Sequence, residues 1–242
     1  MRAVLSSLVS LALPPRCPGC AAVVAADHRF CAACWSSLHF LGPPWCAGCA
    51  LPFEHDRGEA LCGTCLADPP DHDGARAAVA YGPVARTVAL RLKYGRRTAY
   101  AETAARLMLR VLPPGDPLLL SVPLHPRRLW TRGYNQAALI ADALARLSGG
   151  KAHHDLIRRA RATPSLRGLG RRARAKAVTG AFALSPDARQ AIAGRAIVLV
   201  DDVFTSGATA SACARLLKRA GAAQVTVLCW ARVIDDVDPE RD

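Results

Sequence analysis

The chain has 242 residues, of which 51% are hydrophobic, and a formal net charge of +13 from 32 basic and 19 acidic residues. The length allows one full α/β domain and a small additional module, and no apolar run is long enough to span a bilayer, which argues against a membrane protein. The excess of positive charge indicates an anionic partner, either phosphates or nucleic acid. A genome that favours arginine codons is the alternative explanation of this charge.

The first segment, MRAVLSSLVSLALPPRC, contains a short apolar run that could be mistaken for a signal peptide. It lacks a clean A-x-A cleavage site and leads directly into a cysteine pair. We therefore predict a short amphipathic or buried helix, ended by Pro14 and Pro15, and a cytoplasmic protein.

Eight of the ten cysteines form four C-x-x-C pairs between residues 17 and 65. Two such pairs can hold one tetrahedral metal ion through four thiolates, so the sequence predicts two structural Zn²⁺ ions. Sequential pairing is the simplest arrangement, and crossed pairing is the alternative. The predicted ligands are Cys17, Cys20, Cys31, Cys34, Cys46, Cys49, Cys62 and Cys65.

A disulfide framework is the main competing interpretation of these cysteines, and it is typical of secreted domains. The lack of a convincing signal peptide argues against it, and no thioredoxin-like pattern supports a redox role. Because the module has little else to bury, we expect it to need metal to fold. The histidines near it, His28, His39, His55 and His72, are predicted to lie on the surface, and Cys213 and Cys229 in the core.

Residues 1–68 are predicted to form the short helix and a double zinc ribbon, and residues 75–236 a second domain, with LADPPDHDG (66–74) as the linker. In the second domain, strands alternate with helices, which argues for an α/β fold with a mostly parallel sheet and helices on both faces. The predicted strands are ARAAVAYG, DPLLLSVPL, RAIVLVD and AQVTVLCWARV. The predicted helices are PVARTVALRLKYG, TAYAETAARLMLRVL, NQAALIADALARLSG and ATASACARLLKRAG.

The segment IVLVDDVFTSGAT (197–209) places two carboxylates at the end of a buried strand. Ligands bind at the carboxyl ends of the strands of an open parallel sheet. Asp201 and Asp202 could each accept a hydrogen bond from one hydroxyl of a vicinal diol. The TSGAT segment (205–209) and the helix after it could cradle an anion, so the pattern fits a ribose 5-phosphate. Capping of a turn is the structural alternative, but one aspartate would suffice for it.

This segment closely resembles the phosphoribosyl pyrophosphate (PRPP) motif of the type I phosphoribosyltransferases. Together with the double cysteine ribbon, LKYGRR, VPLHPRRLWTRGYNQ and RATPSLRGLGRRARAKAVTGAF, it occurs in the order found in the ComF family, which includes ComFC and GntX-like competence proteins. The resemblance covers about residues 5–233. It implies a type I phosphoribosyltransferase fold in residues 75–236.

The resemblance also implies roles for particular residues. Asp201 and Asp202 would be the catalytic pair that holds the ribose hydroxyls. The PRPP-binding residues would be Thr205, Ser206, Gly207, Ala208 and Thr209 around the 5-phosphate, with His125, Arg127, Arg128 and Lys93 completing the site. The residues at the mobile loop, or facing an acceptor or DNA, would be Arg132, Asn135, Gln136, Thr163 and Arg174. Helix capping is the alternative interpretation of Asn135 and Gln136.

The chain departs from the family pattern at two positions. Leu166 replaces the glutamine of T-x-x-Q after Thr163, and Ala177 replaces the asparagine of R-x-x-N after Arg174. These positions do not belong to the PRPP motif. The two replacements bear instead on whether this chain keeps the acceptor chemistry of the family.

Residues 146–176 contain ten Lys and Arg and one acid. We consider three interpretations: a lid over PRPP, a track for a nucleic-acid backbone, or a solvated loop. Aromatic residues that could stack on bases lie only outside this stretch, at Trp130 and Tyr134, and Trp35 and Trp45 make the ribbons a second candidate surface.

Two functional hypotheses follow. In the first, the chain is a phosphoribosyltransferase-like protein that binds PRPP with Mg²⁺ and, as the resemblance implies, acts on incoming single-stranded DNA in natural transformation. In the second, it is a non-catalytic adaptor that senses PRPP and binds single-stranded DNA or a helicase-type partner.

Overall fold

The computed structural model describes residues 14–56, 58, 60–163 and 168–234. The predicted N-terminal helix and Leu166 lie outside these residues. The helices are α1 (Ala32–Ser36), α2 (Gly63–Ala67), α3 (Pro83–Tyr94), α4 (Tyr100–Met108), α5 (Pro126–Arg132), α6 (Gln136–Ser148), α7 (Arg171–Val178), α8 (Ala188–Ile192) and α9 (Ala208–Arg219), and Leu109–Val111 is a 3-10 turn. The strands are β1 (Ala75–Ala80), β2 (Leu118–Ser121), β3 (Ala152–His153), β4 (Ile157–Arg159), β5 (Phe182–Leu184), β6 (Ala196–Phe204) and β7 (Gln224–Arg232).

Five strands form one parallel sheet in the order β1-β7-β6-β2-β3. The central strands β6 and β7 are nearly continuous apolar runs, as expected for strands that are covered on both faces. Helices α3, α4 and α6 contribute to the core on one face, and α9 to the core on the other. The predicted α/β class, with a parallel sheet and helices on both faces, is confirmed.

Trp230 is the largest fully buried side chain of the core. It stands on β7, and its indole Nε1–H donates to the carbonyl of Ala85 on α3 at 3.1 Å. Cys213 and Cys229 are buried as predicted. Within the described part of the chain, no helix combines the length and the apolar character needed to cross a bilayer.

The basic stretch contains defined structure on both sides of residues 164–167. Strands β4 and β5 pair antiparallel to form a separate two-stranded sheet, and α7, which lies between them in the sequence, packs on α9. Arg159 is only 8% exposed, and the Arg161 guanidinium donates to the carbonyls of Ala177 and Thr179. The interpretation of the whole stretch as a solvated loop is therefore wrong, because part of its charge is buried and hydrogen-bonded.

The segment predicted as a linker is attached to the sheet domain. Asp71 pairs with Arg215 at 2.7 Å, and Asp73 pairs with Lys218 at 2.6 Å, so both acids bind to α9. The Asp73 carboxylate also accepts from the backbone N–H of Val225. The prediction that His72 lies on the surface is wrong, since it is 4% exposed and its ring packs edge-on against Phe204.

Candidate functional site

Asp201 and Asp202 lie on β6 just beyond the residue at which its pairing with β2 ends. Pairing of β6 with β2 ends at Val200, opposite Ser121. Pairing with β7 continues through Asp201 to Phe204, which lies opposite Arg232. The strand therefore ends three residues later than predicted, because β7 still supplies backbone partners.

Asp202 forms the main ion pair of this region. It is 4% exposed, and its Oδ2 lies 2.5 Å from Nζ of Lys93, at the end of α3. Burial raises the pKa of Asp202, but the Lys93 ammonium and hydrogen bonds, including one with Gln136, outweigh burial and hold that pKa below its usual value. For Lys93, burial opposes the charged form, and Asp202 keeps the pKa above its ordinary value.

Asp201 faces the opposite side of the sheet, where its charge acts on Cys213 of α9 and on Arg159 of β4. Its Oδ1 accepts from the backbone N–H of Asp202 at 2.8 Å. Burial, and then repulsion by the neighbouring Asp202, raises the pKa of Asp201 to about 8. Asp202 is thus the ionised carboxylate of the pair, and Asp201 is the one that takes up a proton near neutral pH.

The 205–209 loop turns directly from β6 into α9. Gly207 has φ +74° and precedes the first residue of α9, so this turn uses the left-handed region that glycine adopts without steric penalty. A Cβ at this position would lie 2.8 Å from Cζ of Phe204. Thr205 is exposed, and Ser206, Ala208 and Thr209 are half-buried. Backbone N–H groups at the start of α9 provide the partial positive charge that favours an anion.

Helix α5 follows β2 and carries the residues expected at the pyrophosphate. His125 caps the helix, with Nδ1 accepting from the backbone N–H of Arg127 at 3.3 Å. Arg127 and Arg128 are exposed. The structure gives His125 a local structural role and leaves both guanidinium groups open to a ligand.

The R-G-Y-N-Q element, residues 132–136, runs from the end of α5 to the start of α6 near the buried Asp202. Arg132 donates to Oε1 of Gln136 and lies over the Tyr94 ring, 5.3 Å from its centroid. Asn135 caps α6 through a 3.0 Å bond from the Ala137 N–H. The capping alternative therefore describes Asn135, whereas Gln136 is buried and helps to lower the pKa of Asp202.

The remaining two predicted site residues are held by structural contacts. The Thr163 hydroxyl accepts from Arg159, and Arg174 donates from Nε to the carbonyl of Leu169 at 2.6 Å. Sequence reasoning missed Arg159, a buried cation near Asp201 whose Nε has no hydrogen-bond partner among the described residues. An arginine in the buried register of a short strand was the available signal.

The cysteines form two groups in sequential order, the first with Cys17, Cys20, Cys31 and Cys34 and the second with Cys46, Cys49, Cys62 and Cys65. In each group the sulfur atoms lie within 4.8 Å of one another, which fits a structural zinc site with four thiolates. The groups repeat in detail: the Cys31 N–H donates to Cys17 Sγ at 3.3 Å, and the Cys62 N–H donates to Cys46 Sγ at 3.2 Å. Crossed pairing is therefore excluded for the arrangement seen here.

The surroundings of the first cysteine in each group favour its thiolate form. Burial raises the pKa of Cys17 and of Cys46, but several N–H donors outweigh burial and lower the values to about 6 and about 7. The thiolate is the form that binds metal. In each group the first cysteine therefore favours the form that binds metal, whereas burial raises the pKa of Cys34 in the first group and of Cys49 and Cys65 in the second.

Arg232, at the end of β7, is a second residue that sequence reasoning missed. It is 9% exposed, and it donates from Nε to the carbonyl and from Nη2 to Sγ of Cys49, the latter at 3.1 Å. Burial raises the pKa of Cys49, and the Arg232 charge opposes that rise. An arginine at the end of the apolar strand QVTVLCWAR was the available signal.

Comparison with known proteins places these features in context. Residues 8–66 match the family model of the double zinc ribbon domain. The chain is 34% identical to the DNA utilization protein YhgH of Salmonella typhi over 93% of this chain and 100% of that protein. It is 28% identical to competence protein F of Haemophilus influenzae over 84% of this chain and 96% of that protein. A solved structure of the allosteric regulatory enzyme of purine biosynthesis aligns with a TM-score of 0.40 and 16% identity, covering 58% of this chain and 30% of that one.

The paired cysteine groups, together with a five-stranded parallel sheet that carries a diacid at its carboxyl edge, define a protein with a double zinc ribbon and an α/β domain. The chain belongs to the ComF family of competence and DNA utilization proteins. The resemblance inferred from the sequence is thereby confirmed.

Proposed function

We propose that this protein binds PRPP with Mg²⁺ at the carboxyl edge of the sheet and transfers the phosphoribosyl group in the course of DNA uptake. The placement of Asp201 and Asp202 immediately before the 205–209 loop carries the proposal. It puts diol acceptors and an anion-binding helix start on one strand-to-helix connection. The names of the relatives, DNA utilization protein and competence protein F, support the biological setting.

In the proposed complex, the carboxylates hold the ribose hydroxyls and the loop holds the 5-phosphate. The pyrophosphate lies toward Lys93, Arg127 and Arg128. An acceptor forms a bond to the anomeric carbon of ribose while the bond from that carbon to pyrophosphate breaks and its electron pair leaves on pyrophosphate. The protein contributes orientation and charge neutralisation.

Mg²⁺ prefers oxygen ligands, which a carboxylate and the PRPP oxygens supply. When bound, it would neutralise part of the charge on the leaving pyrophosphate. Asp201 is the carboxylate best suited to respond to a bound cation, because its pKa of about 8 lets it lose a proton when the cation binds.

Calorimetric titration of Mg²⁺–PRPP into zinc-loaded protein tests the proposal. Intact protein is expected to show saturable binding, and Asp201→Asn, which keeps the Lys93–Asp202 ion pair, to weaken it at least about tenfold, since charge-assisted hydrogen bonds are worth about 1.5–3 kcal/mol. Asp116→Asn is the control, because Asp116 is exposed before β2 at the other end of the sheet. Absence of saturable binding to the intact protein would contradict the proposal.

A second candidate function is that of a single-stranded DNA-binding adaptor. Trp130 on α5 is 88% exposed and Tyr94 at the end of α3 is 73% exposed. Arg132 lies over Tyr94, and Arg127 and Arg128 stand on the same helix as Trp130, shortly before it in the sequence. Aromatic faces interleaved with arginines are typical of surfaces that stack bases without strong sequence preference.

Binding of a fluorescent oligothymidine by anisotropy tests this candidate. Trp130→Ala is expected to weaken binding roughly tenfold, since one stacked base contributes about 1–3 kcal/mol. Trp35→Ala, which removes an exposed tryptophan of the first ribbon, tests the ribbons as the alternative binding surface. A DNA affinity that falls steeply with salt and does not depend on PRPP would favour the adaptor over the transferase. Unchanged DNA affinity in Trp130→Ala would show that this surface does not bind DNA.

A further inference from the structure

Arg232 joins the second zinc site to the strand that carries the diacid. On one side its guanidinium donates to the carbonyl and to Sγ of Cys49. On the other side it lies over the Phe204 ring, 5.8 Å from the centroid. The two residues are also partners in the β6–β7 register, and the Val233 N–H donates to the Phe204 carbonyl at 2.9 Å. A buried arginine with these contacts is fixed by its surroundings.

Phe204 in turn supports the 205–209 loop. Its ring lies directly under Gly207, so that even a methyl group at Gly207 would meet Cζ at 2.8 Å. His72 packs against the same ring at a centroid distance of 5.9 Å. The position of Phe204 therefore affects the turn that leads into α9, and Phe204 is itself held by His72 and by Arg232, the residue that contacts Cys49.

We propose that Arg232 is a positioning residue that couples metal binding at the second cysteine group to the conformation of the 205–209 loop. With zinc bound, the four thiolates carry excess negative charge, and the Arg232 N–H groups compensate it. Loss of that zinc removes the fixed partner of Arg232, and with it the support of Phe204 beneath Gly207. A metal-free second ribbon then leaves the loop less ordered, which makes zinc a condition for anion binding.

The first ribbon lacks this connection in its described contacts and provides the comparison. It binds to α3 and α4, where Arg91 donates to the Pro18 carbonyl at 3.2 Å and His28 pairs with Thr103 at 3.0 Å. These contacts lie on the face of the sheet away from α9. We therefore expect only the second cysteine group to influence the loop.

Arg232→Met tests the coupling, with Arg91→Met as the matched control that removes an arginine contact to the first ribbon. Two measurements apply to the full chain with zinc bound: the rate of zinc release to a colorimetric chelator and hydrogen exchange of the 205–209 amides. Arg232→Met is expected to release one zinc ion about tenfold faster, in line with the usual effect of losing an outer partner of a metal ligand, and to speed exchange of the loop. Arg91→Met is expected to leave exchange of the loop unchanged.

Arg232→Lys provides a second variant in case Arg232→Met does not fold. It keeps the charge but loses the forked donor geometry, so a smaller effect of the same sign is expected. Unchanged zinc release and unchanged loop exchange in the folded Arg232 variants would overturn the proposal, as would equal loop exchange in Arg91→Met. The link to anion binding rests on the proposed function, but these two readouts do not involve PRPP. Failure of PRPP to bind the intact protein would therefore count against the proposed function alone.

Discussion

Nζ of Lys93 lies 2.5 Å from Oδ2 of Asp202, and this ion pair bridges the end of α3 and the diacid strand. Removal of one partner leaves the other charge buried without compensation. Lys93→Met is accordingly expected to lower the free energy of unfolding by about 3 kcal/mol, as measured by urea denaturation. A loss below about 0.5 kcal/mol would show that the pair behaves like a surface salt bridge.

The double variant Lys93→Met/Asp202→Asn is the control for this interpretation. Because it removes both charges, it is expected to recover part of the stability lost in Lys93→Met. If the losses of unfolding free energy in Lys93→Met and in Asp202→Asn add up to the loss in the double variant, Lys93 stabilises the fold through packing of its aliphatic chain instead.

Gly207→Ala is expected to be more harmful than the same change at another left-handed glycine. Gly207 (φ +74°) and Gly149 (φ +76°) have similar backbone conformations, but only at Gly207 would an added Cβ lie within 4 Å of another side chain, that of Phe204. Gly149→Ala should lower stability by about 1 kcal/mol through backbone strain, and Gly207→Ala by more. Thermal unfolding measures both, and equal losses would show that Phe204 moves aside freely.

His72 is expected to make stability depend on pH in the acidic range. Burial lowers the pKa of His72 from an ordinary 6.5 to about 4, so the unfolded chain binds a proton between these values and the folded chain does not. Its contribution is complete above pH 6.5 and falls as the pH drops toward 4, by up to about 3 kcal/mol at 1.36 kcal/mol for each pH unit.

His72→Phe should therefore flatten the urea-denaturation stability profile between pH 6.5 and 4. His39→Gln serves as the control, because His39 is exposed. An unchanged slope in His72→Phe would assign the acid sensitivity to other groups.

Each chain is expected to carry two zinc ions, one for each cysteine group. Mass spectrometry of metal content should show two zinc ions for the intact protein, one after Cys20→Ser and two after Cys213→Ser, since Cys213 lies in the core. Chelation should unfold the ribbons, because a module of this kind derives its stability from metal binding. Disulfides in place of thiolates would give little zinc and no response to the chelator.

The local pattern of the chain predicted most of the elements that position the site. The start of α3 at Pro83, the cap of α6 at Asn135 and the end of that helix at Gly149 follow from residues whose backbone preferences act locally. Apolar runs predicted β6 and β7 as strands, and their central position in the sheet was seen only in the structure. The length of β6 beyond the acids depended on its neighbours, since β7 extends past the point where β2 ends.

The sequence by itself determined the double zinc ribbon, the α/β class and the diacid with its loop, because each depends on spacing along a short segment. Only the tertiary structure decided that Lys93 and Gln136 meet Asp202, that His72 is buried, and that Arg232 links Cys49 to Phe204. These contacts join residues far apart in the chain, and their burial depends on how separate elements pack. Local preferences act over a few residues, whereas the electrostatics of this site arise from charges that folding removes from water.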